Sequence, residues 1–127
     1  MVKLTLAATV LVIACSWGAV VAATPAASPR EVMAHHIAVV KKDDVEAIMS
    51  DYAADAVFVT PTATFIGTAD IRKFFEHLAT EHRDWKAYNV TQEVKAEGVV
   101  LQKEVTSGKV EVFVVRHGKI VFQTLPG

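Results

Sequence analysis

Residues 51–75 read DYAADAVFVTPTATFIGTADIRKFF, and the change of period inside them decides the fold. Val57 and Val59 alternate with Phe58 and Thr60, which reads as a strand. Pro61 ends it and holds Thr60 extended. Thr64–Ile66 is expected to return as a second short strand closed by Gly67. The period then becomes helical. Ile71, Phe74, Phe75 and Leu78 fall at i, i+3, i+4 and i+7, with Thr68 as the expected cap and Asp70 in the first turn.

Two more helical stripes precede this stretch. Ser28-Pro29 is a cap followed by proline at the first helical position. Met33, His36, Ile37 and Val40 then share a face. Asp44 caps a second helix whose stripe is Val45, Ile48, Met49 and Tyr52. Asp55 is expected at the corner between that helix and the strand, accepting backbone hydrogen bonds.

Downstream the chain is extended. A strand is expected over Trp85–Ala96, then Val99–Thr106, Val110–Arg116 and Ile120–Leu125, with turns at Glu97-Gly98, Ser107-Gly108 and His117-Gly118. Strands joined by such short turns are antiparallel. Helix, helix, hairpin, helix and a meander make an α+β architecture, with three N-terminal helices on a curved antiparallel sheet. Such a layer leaves a cone with an apolar interior, the default place for a small-molecule pocket.

Composition narrows the function. The chain has 127 residues, enough for one domain. Residues 1–23 are expected to be a signal peptide: basic Lys3, an apolar run from Leu4 to Ala23, and small residues at its end. An exported, periplasmic or secreted product follows. Val12-Ile13-Ala14-Cys15 also resembles a lipoprotein box, and acylation of Cys15 would give the one membrane attachment expected. Residues 24–29 read as a linker and 30–127 as the domain. Without Lys3 there are 12 basic and 14 acidic residues, a net charge of −2 against −1 for the whole chain. No basic block exceeds Lys41-Lys42, so nucleic-acid binding has no electrostatic footprint. The single cysteine is Cys15, so the domain has no thiol chemistry. No zinc pattern exists, His77 and His82 point different ways, and neither metal nor cofactor is expected. Asn89-Val90-Thr91 is a formal glycosylation sequon.

The segments DYAADAVFVTP, FIGTADIRKFF and VVRHGKIVFQTL resemble the nuclear transport factor 2-like superfamily, in its SnoaL-like and ketosteroid isomerase-like branch. The resemblance covers about Val32 to Leu125 and implies a cystatin-like cone. It does not imply one activity, because this fold hosts isomerases, dehydratases, cyclases, epoxide hydrolases and pure binders. The isomerases carry an aspartate just before the strand-ending proline, where this chain has Thr60. A threonine hydroxyl does not titrate near neutrality, so steroid isomerisation is not expected. The isomerase tyrosine of the first helix is matched by His36, a supporting tyrosine by Tyr52, and another by Phe75. The second oxyanion acid aligns with Val112, beside Glu111. The family's habit implies a homodimer through the sheet.

Three functions fit this reading. The first is a binder of a small apolar molecule, with Ile37, Val40, Phe58, Thr60, Phe74, Phe75, Trp85, Glu111 and Phe113 lining the cone. The second is a general acid–base enzyme on a small carbonyl, epoxide or polyketide-like substrate, with His36 as base or donor and Tyr52 supporting it. The third is an accessory domain with a filled pocket. His36 also reads as a satisfied core histidine lining a passive pocket, and Tyr52 as core with its hydroxyl paired. Glu111 shares a face with Phe113 and Val115, and alternation alone does not say whether that face lines the cone.

Overall fold

The computed structural model describes residues 22–127. The body of the expected signal peptide and Cys15 lie outside the described residues. Among the described residues, no helix is long and apolar enough to cross a membrane.

The first helix, α1 (Pro29–Val40), starts on a reciprocal cap. The Ser28 hydroxyl accepts from Glu31 N at 3.3 Å, and the Glu31 carboxylate accepts from Ser28 N at 2.7 Å. Its inner face buries Val32, Met33, His36, Val39 and Val40. Asp44 caps α2 (Val45–Ser50) through Ala47 N at 3.1 Å.

The second helix is shorter than its stripe. It stops at Ser50, and Tyr52 opens the strand β1 (Tyr52–Val59). The cause is non-local. Ile120 N donates to Asp51 O at 2.7 Å, and Tyr52 pairs with Ile120, so a ladder with the C-terminal strand takes the backbone from the helix. Asp55 consequently lies within β1 on an exposed stretch, not at the corner; Asp51 holds the corner instead. β2 (Thr64–Ile66) pairs back on β1. The third helix, α3 (Thr68–Thr80), has Gly67 rather than Thr68 at its cap position, without a side-chain cap. Gly67 sits at φ 81, a left-handed conformation that suits glycine.

The long strand expected from Trp85 is also interrupted. Asp84 Oδ1 accepts from Lys86 N at 3.0 Å and winds Trp85–Ala87 into a 3-10 turn. The strand β3 covers only Val90–Val94. β4 (Val99–Glu104), β5 (Val110–Arg116) and β6 (Lys119–Thr124) complete the meander. His117 and Gly118 both take positive φ, 49° and 73°, the two-residue hairpin geometry that matches strand twist.

The sheet runs β2-β1-β6-β5-β4-β3. Every neighbour is antiparallel except β1 and β6, which are parallel. The three helices cover one face of this curved, open sheet. Phe58, Phe113, Ile71, Met33 and Ile120 form the fully buried centre between the layers.

Candidate functional site

A cavity of about 240 Å³ opens between the helices and the sheet. α1 contributes His36, Ile37 and Val40; α3 contributes Phe74, Phe75 and Leu78. The sheet contributes Phe58, Glu111, Phe113, Gln102 and Gln123. Trp85, Tyr88 and the exposed Arg83 form the side nearest solvent, and Leu125 completes the lining.

Thr60 is not in this lining. Its hydroxyl donates to Ala63 O at 3.1 Å and accepts from Ala63 N at 3.0 Å, so it closes the turn after β1. Tyr52 is buried behind the lining rather than in it. It touches the His36 ring edge-on, with centroids 5.4 Å apart, but its hydroxyl donates to Gln123 Oε1 and not to His36. Burial pushes the Tyr52 hydroxyl well above the usual phenol range, and the carboxylates of Glu111 and Asp51 add to this.

His36 points inward, as its apolar neighbours require, and is 2% exposed. Its ring stands edge-on to Tyr52, Phe75 and Phe113. Its polar partner is Asp51: Nδ1 lies 3.2 Å from Oδ2. The other carboxylate oxygen holds the neighbouring histidine, with His35 Nδ1 2.7 Å from Oδ1. A carboxylate only accepts, so each Nδ1 carries the donated proton. When the His36 ring is neutral, that makes Nε2 its lone-pair nitrogen. Among the described residues His36 Nε2 has no hydrogen-bond partner and no fully buried side-chain polar atom lacks one, so Nε2 keeps some accessible surface, and the cavity is what His36 lines.

Glu111 faces the cavity on the same side as Phe113, which decides what alternation left open. The aligned neighbour Val112 points to the other face of β5. Tyr88 OH donates to Glu111 Oε1 at 3.2 Å, and Gln123 Nε2 donates to Oε2 at 3.4 Å. Each donor is itself held: Gln102 Nε2 donates to Tyr88 OH at 3.2 Å, Gln92 Nε2 to Gln102 Oε1 at 2.8 Å, and Tyr52 OH to Gln123 Oε1. Burial outweighs these donors and raises the Glu111 carboxyl to about 7. The same burial, with the Glu111 charge, raises the Tyr88 hydroxyl well above the usual phenol range.

Trp85 reaches the cavity because Nε1 donates to Asp43 Oδ1 at 3.1 Å, pinning the 3-10 turn to the α1–α2 connection. The sequence reading did not single out Asp51, Tyr88, Gln102 or Gln123 as site residues. Tyr88 carried a signal in retrospect, a tyrosine on the same strand face as Val90 and Val94. The two glutamines and Asp51 carried none, since their partners come from other elements. No group of three or more metal-ligating side chains forms among the described residues.

Three helices on an open curved sheet, with a partly apolar hollow between them, define the cone-shaped α+β class. Within that class the chain belongs to the SnoaL-like domain family, whose model matches residues 33–123. Solved structures agree on the fold. A candidate polyketide cyclase from Sinorhizobium meliloti is 15% identical, with 75% of this chain and 93% of that one covered at a TM-score of 0.59. A second candidate polyketide cyclase, from Pseudomonas putida, is 15% identical, with 80% and 92% covered at 0.59. TerC, co-crystallised with polyporic acid, is 18% identical, with 76% and 88% covered at 0.55. Among curated protein sequences none matches this chain.

Proposed function

We propose that this chain is an exported protein whose cavity binds a small, mostly apolar molecule carrying one oxygen function. The observation that carries the reading is the lining: aromatic and aliphatic walls with a polar side where Tyr88, Gln102 and Gln123 gather round Glu111, a carboxyl raised to about 7. A group poised there can donate to a carbonyl or accept from a hydroxyl at neutral pH. The volume of about 240 Å³ suits a molecule smaller than most drugs. TerC's polyporic acid belongs to TerC, and it supports a small-molecule role for the fold in general.

The test is mass spectrometry of small molecules released from protein purified out of its native host. A stoichiometric compound is expected from the wild type and not from Leu78→Trp, which fills the cavity from α3. An empty wild type, or a compound equally retained by the variant, overturns the reading. Export rests on the first 23 residues alone. Sequencing the mature terminus is expected to find Ala23 or Thr24, and an acylated Cys15 would make it a lipoprotein.

One observation favours an enzyme as the second reading. Asp51 orients His36 so that Nε2 meets the cavity, as a general base requires. His36 would then take a proton from a carbonyl compound, or from the water that opens an epoxide, with Glu111 giving one to the oxygen where charge develops. Thr60, outside the cavity, takes no part. Turnover that survives His36→Gln eliminates this reading; binding without turnover in either form leaves the first.

The homodimer is part of the same proposal. Phe58, Phe113 and Gln123 face the helices, so Val57, Val59, Val112, Val114 and Phe122 face outward by strand alternation and pairing. An outward face this apolar fits a second copy of the chain. Sedimentation is expected to give a dimer, and Val114→Lys a monomer.

A further inference from the structure

We propose that His35, on the solvent side of α1, is the outer end of a proton-exchange pair whose inner end is the cavity histidine His36, with Asp51 coupling the two. The proposal rests on the reading of the cavity as a place where a bound molecule meets His36. It assigns a positioning role to His35 that the cavity alone does not show.

Successive helical residues point about 100° apart, so two adjacent histidines cannot both face the hollow. Here they diverge and are gathered again by one carboxylate. Asp51 Oδ1 lies 2.7 Å from His35 Nδ1, and Oδ2 lies 3.2 Å from His36 Nδ1. Both rings are therefore tied at the same nitrogen, and both present Nε2 away from Asp51. His36 is 2% exposed and lines the cavity, while the His35 side chain is 51% exposed. Three side chains thus span the helical wall from hollow to water.

One carboxylate compensates one imidazolium; two imidazolium rings on the same carboxylate repel each other. The exchange starts with His35 as the imidazolium, protonated on both nitrogens, and His36 neutral: when His36 Nε2 takes a proton from a bound molecule, His35 gives its Nε2 proton to water. One proton enters from the cavity and one leaves to solvent. Asp51 gains and loses no proton, and the net charge of the three residues is unchanged. Donation to a bound molecule runs the same exchange backwards. The charge is handed across the wall while no proton crosses Asp51.

Other groups that set this balance are on the remaining walls. Glu111 on β5 and Tyr88 after the 3-10 turn line the same cavity, with Arg83 at its exposed side. Tyr52 on β1 packs against the His36 ring, and α3 presents the non-titrating Phe75. Lys119 on β6 donates to Ser50 O at 2.5 Å, one residue from Asp51. None of these bridges the two rings, which share Asp51 alone.

The experiment is a titration of the full-length protein followed by imidazole ¹⁵N NMR. His35→Gln keeps a donor for Oδ1 but cannot carry charge, and it changes an exposed side chain. Wild-type His36 is expected to titrate in a broadened, coupled curve. In His35→Gln the curve becomes a single step, its midpoint higher by about half a pH unit or more, because the competing cation is gone. His35→Lys, which keeps a cation on the outer side, is expected to give a lower midpoint than His35→Gln. A rise smaller than this in His35→Gln, or a His35→Lys midpoint that is not lower, overturns the proposal, since a merely structural tie would leave His36 unmoved. The titration needs no ligand, so its outcome is separate from whether the cavity binds one.

Discussion

On the sheet side of the cavity an ionisable carboxyl is held by neutral donors, whereas on the helix side an imidazole is held by a carboxylate. Glu111 receives Tyr88 and Gln123, each backed by a further amide or phenol. Those donors favour its charged form, yet burial prevails and the carboxyl rises to about 7. His36 receives Asp51, a full charge, which is shared with a solvent-facing partner. The sheet wall is therefore a closed network whose carboxyl is divided between its two forms near neutral pH. The helix wall is open to water at its far end. A bound molecule would meet a different kind of group on each side.

The largest effect is expected from removing the charge on the helix wall. Asp51→Ala leaves His36 Nδ1 buried without an acceptor, which costs about 1–3 kcal/mol. The exposed His35 contact adds less than about 1 kcal/mol. We expect a total loss near 3 kcal/mol in urea unfolding at pH 7, and roughly 1 kcal/mol for Asp51→Asn, which keeps an acceptor. Equal losses for the two variants would mean that the hydrogen bonds to Asp51 do not decide the ring's position, and the contrast between the walls would fail.

These two walls were not equally legible. The helical faces could be read because their stripes are local: Ile71 and Phe75 are buried where the spacing put them, and His36 points inward with Met33 and Val40. The strand from Val57 to Val59 was legible by alternation. Asp51 was not, because its two partners are 15 and 16 positions away. Tyr52 followed a helical stripe until Ile120, far along the chain, claimed its backbone for a parallel ladder. Glu111 was visible as a candidate, but alternation offers two faces and supplies no reason to choose. Trp85 was placed at the cavity, though in a strand; Asp84 and Asp43 bend it into a turn instead. Thr60 was expected in the lining because it precedes the proline, and its hydroxyl is spent on the turn.

The next effect belongs to the sheet wall and has the opposite sign. Between pH 4.5 and about 7 the folded chain keeps a proton on Glu111 that the unfolded chain has shed. Stability from this group is complete below pH 4.5 and declines as pH rises through about 7. The difference corresponds to roughly 3 kcal/mol at full expression. Glu111→Gln removes the titration, while its amide mismatches the donor of Gln123. We expect the variant to be more stable than wild type by about 2 kcal/mol at pH 8 and no more stable at pH 4.5. A stability difference that does not change with pH would show that the carboxyl is solvated after all.

The smallest effect is the most specific to the network. Tyr88→Phe keeps the ring against Trp85 and deletes one donor to Glu111 Oε1. A hydrogen bond of about 1 kcal/mol to the charged form equals about 0.7 of a pH unit. The Glu111 midpoint, followed by carboxyl ¹³C NMR, is expected to move upward by that amount. Gln102 loses its acceptor in the same step, so some stability is lost at every pH. The pH signature separates the two losses. At pH 5 Glu111 is protonated in both proteins and has no need of the donor, so the deficit there belongs to Gln102. At pH 8 wild-type Glu111 is charged and uses the hydroxyl, so the deficit grows by about 1 kcal/mol. If the midpoint instead moves down, Tyr88 acts on Glu111 mainly by excluding water, and the donors of the sheet wall are scaffolding for burial.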